Sequence, residues 1–81
     1  MQKGELIVTG NNKITITLDG FPSEVRAHFI DEGREPVPCD PGDVDTLQYS
    51  VHTSNTVNSG FILIITWNVS SVREIKWEVS Y

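Results

Sequence analysis

Hydrophobic and polar residues alternate along this chain in short runs, a pattern typical of β-strands that place one face in a core. Between positions 13 and 18, for example, two isoleucines and a leucine alternate with two threonines. The pattern predicts six strands, at 5–9, 13–18, 24–30, 46–52, 61–67 and 73–81. No apolar repeat with a 3.6-residue period occurs. We therefore predict an all-β protein, a single small domain (1–81) folded as a six-stranded antiparallel β-sandwich.

Residue types that favour tight turns separate several of these runs. A Gly-Asn-Asn sequence at 10–12 and an Asp-Gly pair at 19–20 supply residues that tolerate positive φ. The first predicts a hairpin between the first two strands, and the second predicts a turn before the third strand. The sequence Asn-Val-Ser-Ser at 68–71 predicts another turn between the last two strands.

The fifth predicted strand, 61–67, departs from alternation because isoleucines occur on both of its faces. Ile62 and Ile64 would point away from the core, where an antiparallel strand with one wet face carries polar side chains. Either the segment 31–45 folds back over them, or a second copy of the chain packs on them. A chain of this size without disulfides gains stability from a partner subunit. We predict that Ile62 and Ile64 form an oligomer interface.

The charge of the chain is concentrated in one segment. Its 81 residues carry 6 basic and 11 acidic side chains, a formal net charge of −5. The segment 31–45 holds six of the acidic residues and only one basic residue, Arg34, so the rest of the chain is neutral overall. Three of the four prolines also lie there, which predicts a long solvated loop. Because there is no excess of Lys or Arg, the composition argues against a nucleic-acid binder that uses a basic patch, and we predict no nucleic-acid partner.

Few residues suggest catalysis or metal binding. The single cysteine, Cys39, lies in the acidic segment, which disfavours a reactive thiolate, so we predict no enzymatic activity. Asp40, Asp43 and Asp45 form a weak calcium candidate, but their spacing does not fit an EF-hand, and solvated turn residues are the favoured interpretation. We predict neither a metal nor a cofactor. The chain shows no signal peptide and no run of transmembrane length, so we predict synthesis in a cytoplasm and no membrane partner.

Two blocks of the sequence resemble a known family. The stretch VNSGFILIITWNVSSVREIKWEVSY at 57–81 is similar to the end of H-type lectin domains and of related C-terminal domains of phage tail fibres. Those domains end with a Gly-Phe-x-Leu strand, a turn and a last strand that carries a Trp. The matching residues are Gly60, Phe61, Leu63 and Trp77. The stretch ITLDGFPSEVRAHF at 16–29 resembles the family's Phe-Pro segment and the strand after it. The resemblance implies a six-stranded β-sandwich, a trimer packed side by side and carbohydrate binding near subunit boundaries.

From these observations we predict a non-enzymatic adhesion or structural module of a phage virion, an oligomeric fibre-tip or decoration protein that binds carbohydrate. Its partners would be copies of itself in a trimer, glycans and other virion proteins. The candidate ligand-binding residues are Arg26, His28, His52 and Asn68. The alternative is a small acidic phage protein that binds and inhibits a host or defence protein by placing the segment 31–45 in a basic cleft.

Overall fold

A computed structural model of the chain describes residues 1–30, 45–54 and 60–81. Strand makes up 82% of these residues, and none of them is helical. They form four strands: β1 (Gln2–Leu18), β2 (Glu24–Phe29), β3 (Thr46–Thr53) and β4 (Phe61–Ser80). The prediction of a single all-β domain with an antiparallel sheet is confirmed. Most of the acidic segment, with Cys39, Asp40 and Asp43, lies outside the described residues.

The central strand of the sheet is β4. Along one edge it pairs antiparallel with β1 over nearly its whole length, from Gln2 opposite Val79 to Leu18 opposite Phe61. Its other edge is shared end to end by two shorter strands, since β2 pairs with residues 75–80 and β3 pairs with residues 61–68. The six-stranded count is not confirmed, because β1 and β4 each cover two of the predicted strands.

The turns predicted at 10–12 and at 68–71 are wrong, because the two long strands pass through both positions. The ladder between them has one register break, which separates the Val8–Arg73 pair from the Gly10–Val69 pair. A single residue of β1 therefore lies opposite residues 70–72 of β4, which makes a β-bulge. Gly10 has a φ of 66°, in the left-handed region that glycine adopts with the least strain. The Gly-Asn-Asn sequence thus bends a continuous strand pair and does not reverse the chain.

The bulge folds the long strand pair back on itself. The side-chain amide of Gln2, at the start of β1, donates a hydrogen bond of 3.0 Å to the carbonyl oxygen of Thr17, near its end. In a straight strand those residues would be about 50 Å apart. The Asp19 N–H donates to the Tyr81 hydroxyl at 2.8 Å, and that hydroxyl donates to Gln2. At the bend itself, the Trp67 indole N–H donates to the Thr9 carbonyl at 3.3 Å. The two ends of β1 therefore lie close together.

The core lies between the two halves of the bent sheet. Among the residues that the structure describes, Leu63, Ile65, Ile75 and Val79 have no exposed surface. The first two come from one half of β4 and the last two from the other half, yet they belong to a single cluster. Burying such a side chain is worth about 1.5–3 kcal/mol. Packing between the halves therefore holds the bend closed.

The predicted direction of most side chains is confirmed. The aliphatic residues at 14, 16 and 18, and those at 63 and 65, point to the core, while Arg26, His28 and His52 are exposed. Ile62 and Ile64 point outward but are only partly exposed, because polar side chains of β1 and β3 flank them. No helix long and apolar enough to cross a membrane occurs in residues 1–30, 45–54 and 60–81.

Candidate functional site

The outer surfaces of the two halves differ in their chemistry. On the half formed by β3, the first part of β4 and the last part of β1, the outward side chains are hydroxyls, amides and two isoleucines, with one histidine and one lysine. We call this surface the neutral face; its residues are Asn11, Lys13, Thr15, Thr17, Thr46, Gln48, Ser50, His52, Ile62, Ile64, Thr66 and Asn68. The strand register arranges them in four rows of three across the sheet.

The neutral face contains a shallow groove of about 480 Å³. It is lined by Gln48, Tyr49, Ser50, Ile64 and Thr66. Gln48 and Thr66 face each other across the β3–β4 ladder, as do Ser50 and Ile64. Amide and hydroxyl groups both donate and accept hydrogen bonds, whereas Ile64 offers an apolar floor. The groove therefore combines neutral polar groups with a small apolar surface.

One predicted site residue lies beside this groove. The His52 ring nitrogen Nε2 is 2.7 Å from the Ser50 hydroxyl, so the two side chains share a hydrogen bond. Asn68 is also on the neutral face, opposite Thr46, but it is six residues along β4 from the partner of His52. That spacing corresponds to about 20 Å. His52 and Asn68 therefore flank the groove from opposite ends.

The outer surface of the other half alternates in charge. We call it the charged face; its residues are Lys3, Glu5, Glu24, Arg26, His28, Glu74, Lys76 and Glu78. Across the strands, Glu78 lies between Lys3 and Arg26, and Lys76 lies between Glu5 and His28. Each charge therefore has a neighbour of opposite sign, which favours this register.

The other two predicted site residues, Arg26 and His28, lie on the charged face. The Arg26 guanidinium is 2.5 Å from the carboxylate of Glu24, and both side chains are more than half exposed. A shallow depression of about 230 Å³ lies beside them, between Glu24 and Glu78. The core of the bent sheet separates this surface from the neutral face. The four predicted ligand-binding residues consequently form two pairs and not one site.

A cluster around Arg73 joins three strands at the bulge. Its guanidinium donates to a carboxylate oxygen of Asp45 at 2.8 Å, and its Cζ atom lies 4.1 Å from the centre of the Phe29 ring. The other oxygen of Asp45 accepts from the backbone N–H and the hydroxyl of Ser70, at 2.9 and 3.1 Å. Phe29 ends β2 and Asp45 immediately precedes β3. Arg73 therefore contacts the chain both shortly before and directly after residues 31–44.

The electrostatics of this cluster favour an ionised Asp45. The hydrogen bond from Arg73 is the main cause that lowers the pKa of the Asp45 carboxyl below its usual 3.8, and the Ser70 N–H lowers it further. Desolvation acts in the opposite direction but is outweighed. Since both of its oxygens are engaged within the protein, Asp45 serves as a structural anion, and this explains its position without calcium. No group of three metal-ligating side chains occurs in the part of the chain that the structure describes.

The sequence pattern did not single out four of the groove residues, Gln48, Tyr49, Ser50 and Thr66, or the Arg73 cluster. The alternation of β3 already turned Gln48 and Ser50 outward, so the pattern contained the information to include them. Thr66 was not singled out because the residues around it in sequence, 61–67, are otherwise apolar. Arg73 shows no local pattern, since its partners Phe29 and Asp45 are distant in sequence and meet it only through the fold.

Comparisons of the chain with protein-family models, with curated proteins and with solved structures give no match. The resemblance to H-type lectin domains therefore stays a prediction, and the chemistry of the two faces is the basis for a proposal about function.

Proposed function

We propose that this chain is a non-enzymatic carbohydrate-binding module that serves adhesion or structure in a phage virion as a homo-oligomer. The groove of the neutral face carries the proposal. The phage setting comes from the sequence resemblance. The proposal includes the β-sandwich: the bulge divides β1 and β4 into two segments each, and with β2 and β3 these make six segments in two layers.

The groove suits a neutral sugar for chemical reasons. A pyranose presents hydroxyl groups around its rim and C–H groups on its face. Gln48, Ser50 and Thr66 supply donors and acceptors to the hydroxyls, and Ile64 supplies an apolar contact. No formal charge lines this groove, so nothing in it selects an anionic ligand. His52 extends the same polar edge through its hydrogen bond with Ser50.

In this proposal Ile62 and Ile64 belong to the sugar-binding surface and not to a subunit interface. Both are partly covered by the threonines and polar residues of the flanking strands. We propose that Ile64 forms the floor of the sugar site and that Ile62 packs beside it.

A glycan array followed by NMR titration of the positive ligands tests the proposal. We expect binding in the weak range, with dissociation constants of about 0.1–1 mM, because the groove is shallow. Gln48→Ala and Thr66→Val should each weaken binding severalfold, whereas Arg26→Ala on the charged face is the matched control and should leave it unchanged. No binding to any neutral glycan, or equal loss in all three variants, would contradict the assignment.

The alternative function is inhibition of a host or defence protein by the segment 31–45, of which the structure describes Asp45 alone. Asp45 is engaged with Arg73 and Ser70 and is not available to a partner. Mass spectrometry of purified virions separates the two functions. The adhesion module should be present in virions, whereas an inhibitor should be found only in the lysate of infected cells.

A further inference from the structure

We infer that two copies of the chain associate through the free edge of β1, with the segments 1–7 antiparallel about a two-fold axis at Gly4. This deepens the homo-oligomer in the proposed function, because it names the contact surface and predicts a dimer where the sequence resemblance implies a trimer. The partner is a second copy of this chain.

The edge is open. Within the described residues β1 forms its ladder with β4 alone, so its opposite edge presents unpaired backbone groups. Such edges recruit further strands unless prolines, bulges or charged side chains that the incoming strand does not match block them. Residues 1–7 contain no proline, and the bulge lies beyond them, after Val8. Two of the most exposed apolar side chains are in this segment, Met1 at 78% and Ile7 at 74%.

The outward side chains of this segment complement themselves in one register. They read Met1, Lys3, Glu5 and Ile7. When a second copy pairs antiparallel with Gly4 opposite Gly4, Lys3 meets Glu5 of the other copy and Met1 meets Ile7. Both apolar side chains gain an apolar neighbour, and both charges gain an opposite one. Cross-strand pairs of these types stabilise a sheet, whereas like charges destabilise it.

The pairing also continues the charge alternation of the charged face. Within one copy the row from β2 to β1 reads Arg26, Glu78 and Lys3. Across the dimer contact the row would go on through Glu5, Lys76 and His28 of the second copy. The signs alternate over the five charged positions from Arg26 to Lys76 of the second copy, and the row ends at His28, which the formal charge counts as neutral. A foreign strand without this pattern would leave Lys3 or Glu5 unmatched.

The rest of β1 shows no comparable pattern. Between residues 11 and 17 the only charged side chain is Lys13, so a second copy offers it no acid. At the axis, a Cβ atom on Gly4 would lie 2.8 Å from the indole of Trp77, which shows that this ring covers the inner side of the strand there. An apolar ring from each copy would thus line the inner side of the contact.

Charge-reversal variants in a mixing experiment test the contact. Lys3→Glu and Glu5→Lys should each raise the dimer dissociation constant roughly tenfold, because each homodimer then holds two like-charge pairs. An equimolar mixture of the two variants should dimerise about as well as the wild type, because every pair in the mixed dimer is opposite in charge. Lys13→Glu is the matched control and should leave the constant unchanged. Sedimentation velocity over a concentration series measures the dimer dissociation constants of the wild type, the three variants and the mixture.

Within each variant chain, the substituted residue still faces Glu78 or Lys76, whether or not the other variant is present. If the mixture recovers dimerisation, the defect of each single variant therefore lies in the dimer contact and not in its folding. Hydrogen exchange of the unaltered protein gives a second measurement: amides in residues 2–6 should exchange more slowly as concentration rises, and those in 11–17 should not. A wild-type monomer at several hundred micromolar, a trimer insensitive to the charge reversals, or a mixture no better than its components would overturn the inference. Sugar binding is measured separately on the glycan array, so a failure here does not count against the groove.

Discussion

The Asp45–Arg73 ion pair offers the sharpest test of how the bend is held. Asp45→Asn keeps the shape of the side chain and an oxygen that can accept from Ser70, but it removes the charge opposite Arg73. The pair is well covered, since the Asp45 side chain is 6% exposed and that of Arg73 is 20% exposed. The variant therefore removes the ion pair that Asp45 makes with a largely buried guanidinium.

The expected cost lies between two limits. Removing one partner of a fully buried pair costs about 3–5 kcal/mol, whereas an exposed pair is worth about 0–1 kcal/mol. With Arg73 partly in contact with water, we expect a loss of about 2–3 kcal/mol in the free energy of unfolding. A domain of this size has about 4–12 kcal/mol in total. The midpoint of thermal unfolding should fall by roughly 10–20 °C.

The matched control is Glu24→Gln. It makes the same chemical change in the Arg26–Glu24 pair, whose side chains are 68% and 54% exposed. Because solvent screens that pair, we expect a change of less than about 0.5 kcal/mol. Urea denaturation followed by circular dichroism or tryptophan fluorescence measures both variants. Equal costs for Asp45→Asn and Glu24→Gln would refute the structural role of the cluster.

The pH dependence of the same variant checks the sign of the electrostatics. The folded pKa of Asp45 is lowered below 3.8 by Arg73, so the folded state favours the ionised carboxyl. That stabilisation is complete above the unfolded pKa and is lost as the pH falls through the folded pKa. The difference in stability between wild type and Asp45→Asn should therefore be constant from pH 7 to about pH 5 and shrink below pH 4. A difference that persists unchanged to pH 2 would show that the charge is not its source.

Three further predictions concern single positions. Gly10→Ala should lower the free energy of unfolding by about 1–2 kcal/mol, because its φ of 66° strains any residue with a Cβ atom. Gly20→Ala should leave it nearly unchanged, since the added Cβ would meet nothing within 4 Å, and urea denaturation compares the two variants. Gly4→Ala should cost about 1–3 kcal/mol through overlap with the Trp77 ring, and this cost should fall in a Trp77→Leu background. Ile64→Lys should abolish sugar binding on the glycan array and leave the β1-edge dimer intact in sedimentation velocity. A loss of the dimer would instead support the prediction that Ile64 lies in the subunit interface.

The alternation of side chains made much of the fold predictable. A period of two residues fixes which side of a strand each residue faces, and this requires no knowledge of the partner strand. The inward aliphatics of β1 and β4 and the outward Arg26, His28 and His52 follow from this period alone. For the same reason the hydroxyl and amide character of β3 was visible before its partners were known.

The connection between strands could not be predicted from local residue types. Glycine with positive φ serves a hairpin turn and a β-bulge equally well, and only the partner strand decides between them. At Gly10 the partner β4 continues past the break, so the Gly-Asn-Asn sequence became a bend. The Arg73 cluster could not be predicted for a related reason. Arg73 contacts Phe29 and Asp45 only because the fold brings these distant residues together.

The bend also explains why one small sheet carries two different surfaces. A flat sheet of these strands would have one apolar face exposed to water, but folding it at the bulge buries that face against itself. Both outer surfaces are then free to differ, since neither has to cover the core. One of them is neutral and has a groove beside Ile64. The other is an alternating array of charges that extends to the edge of β1 opposite its ladder with β4. In our proposal the first surface binds sugar and the second extends through the two-fold contact, so binding and assembly can change independently by substitution on opposite sides of the same domain.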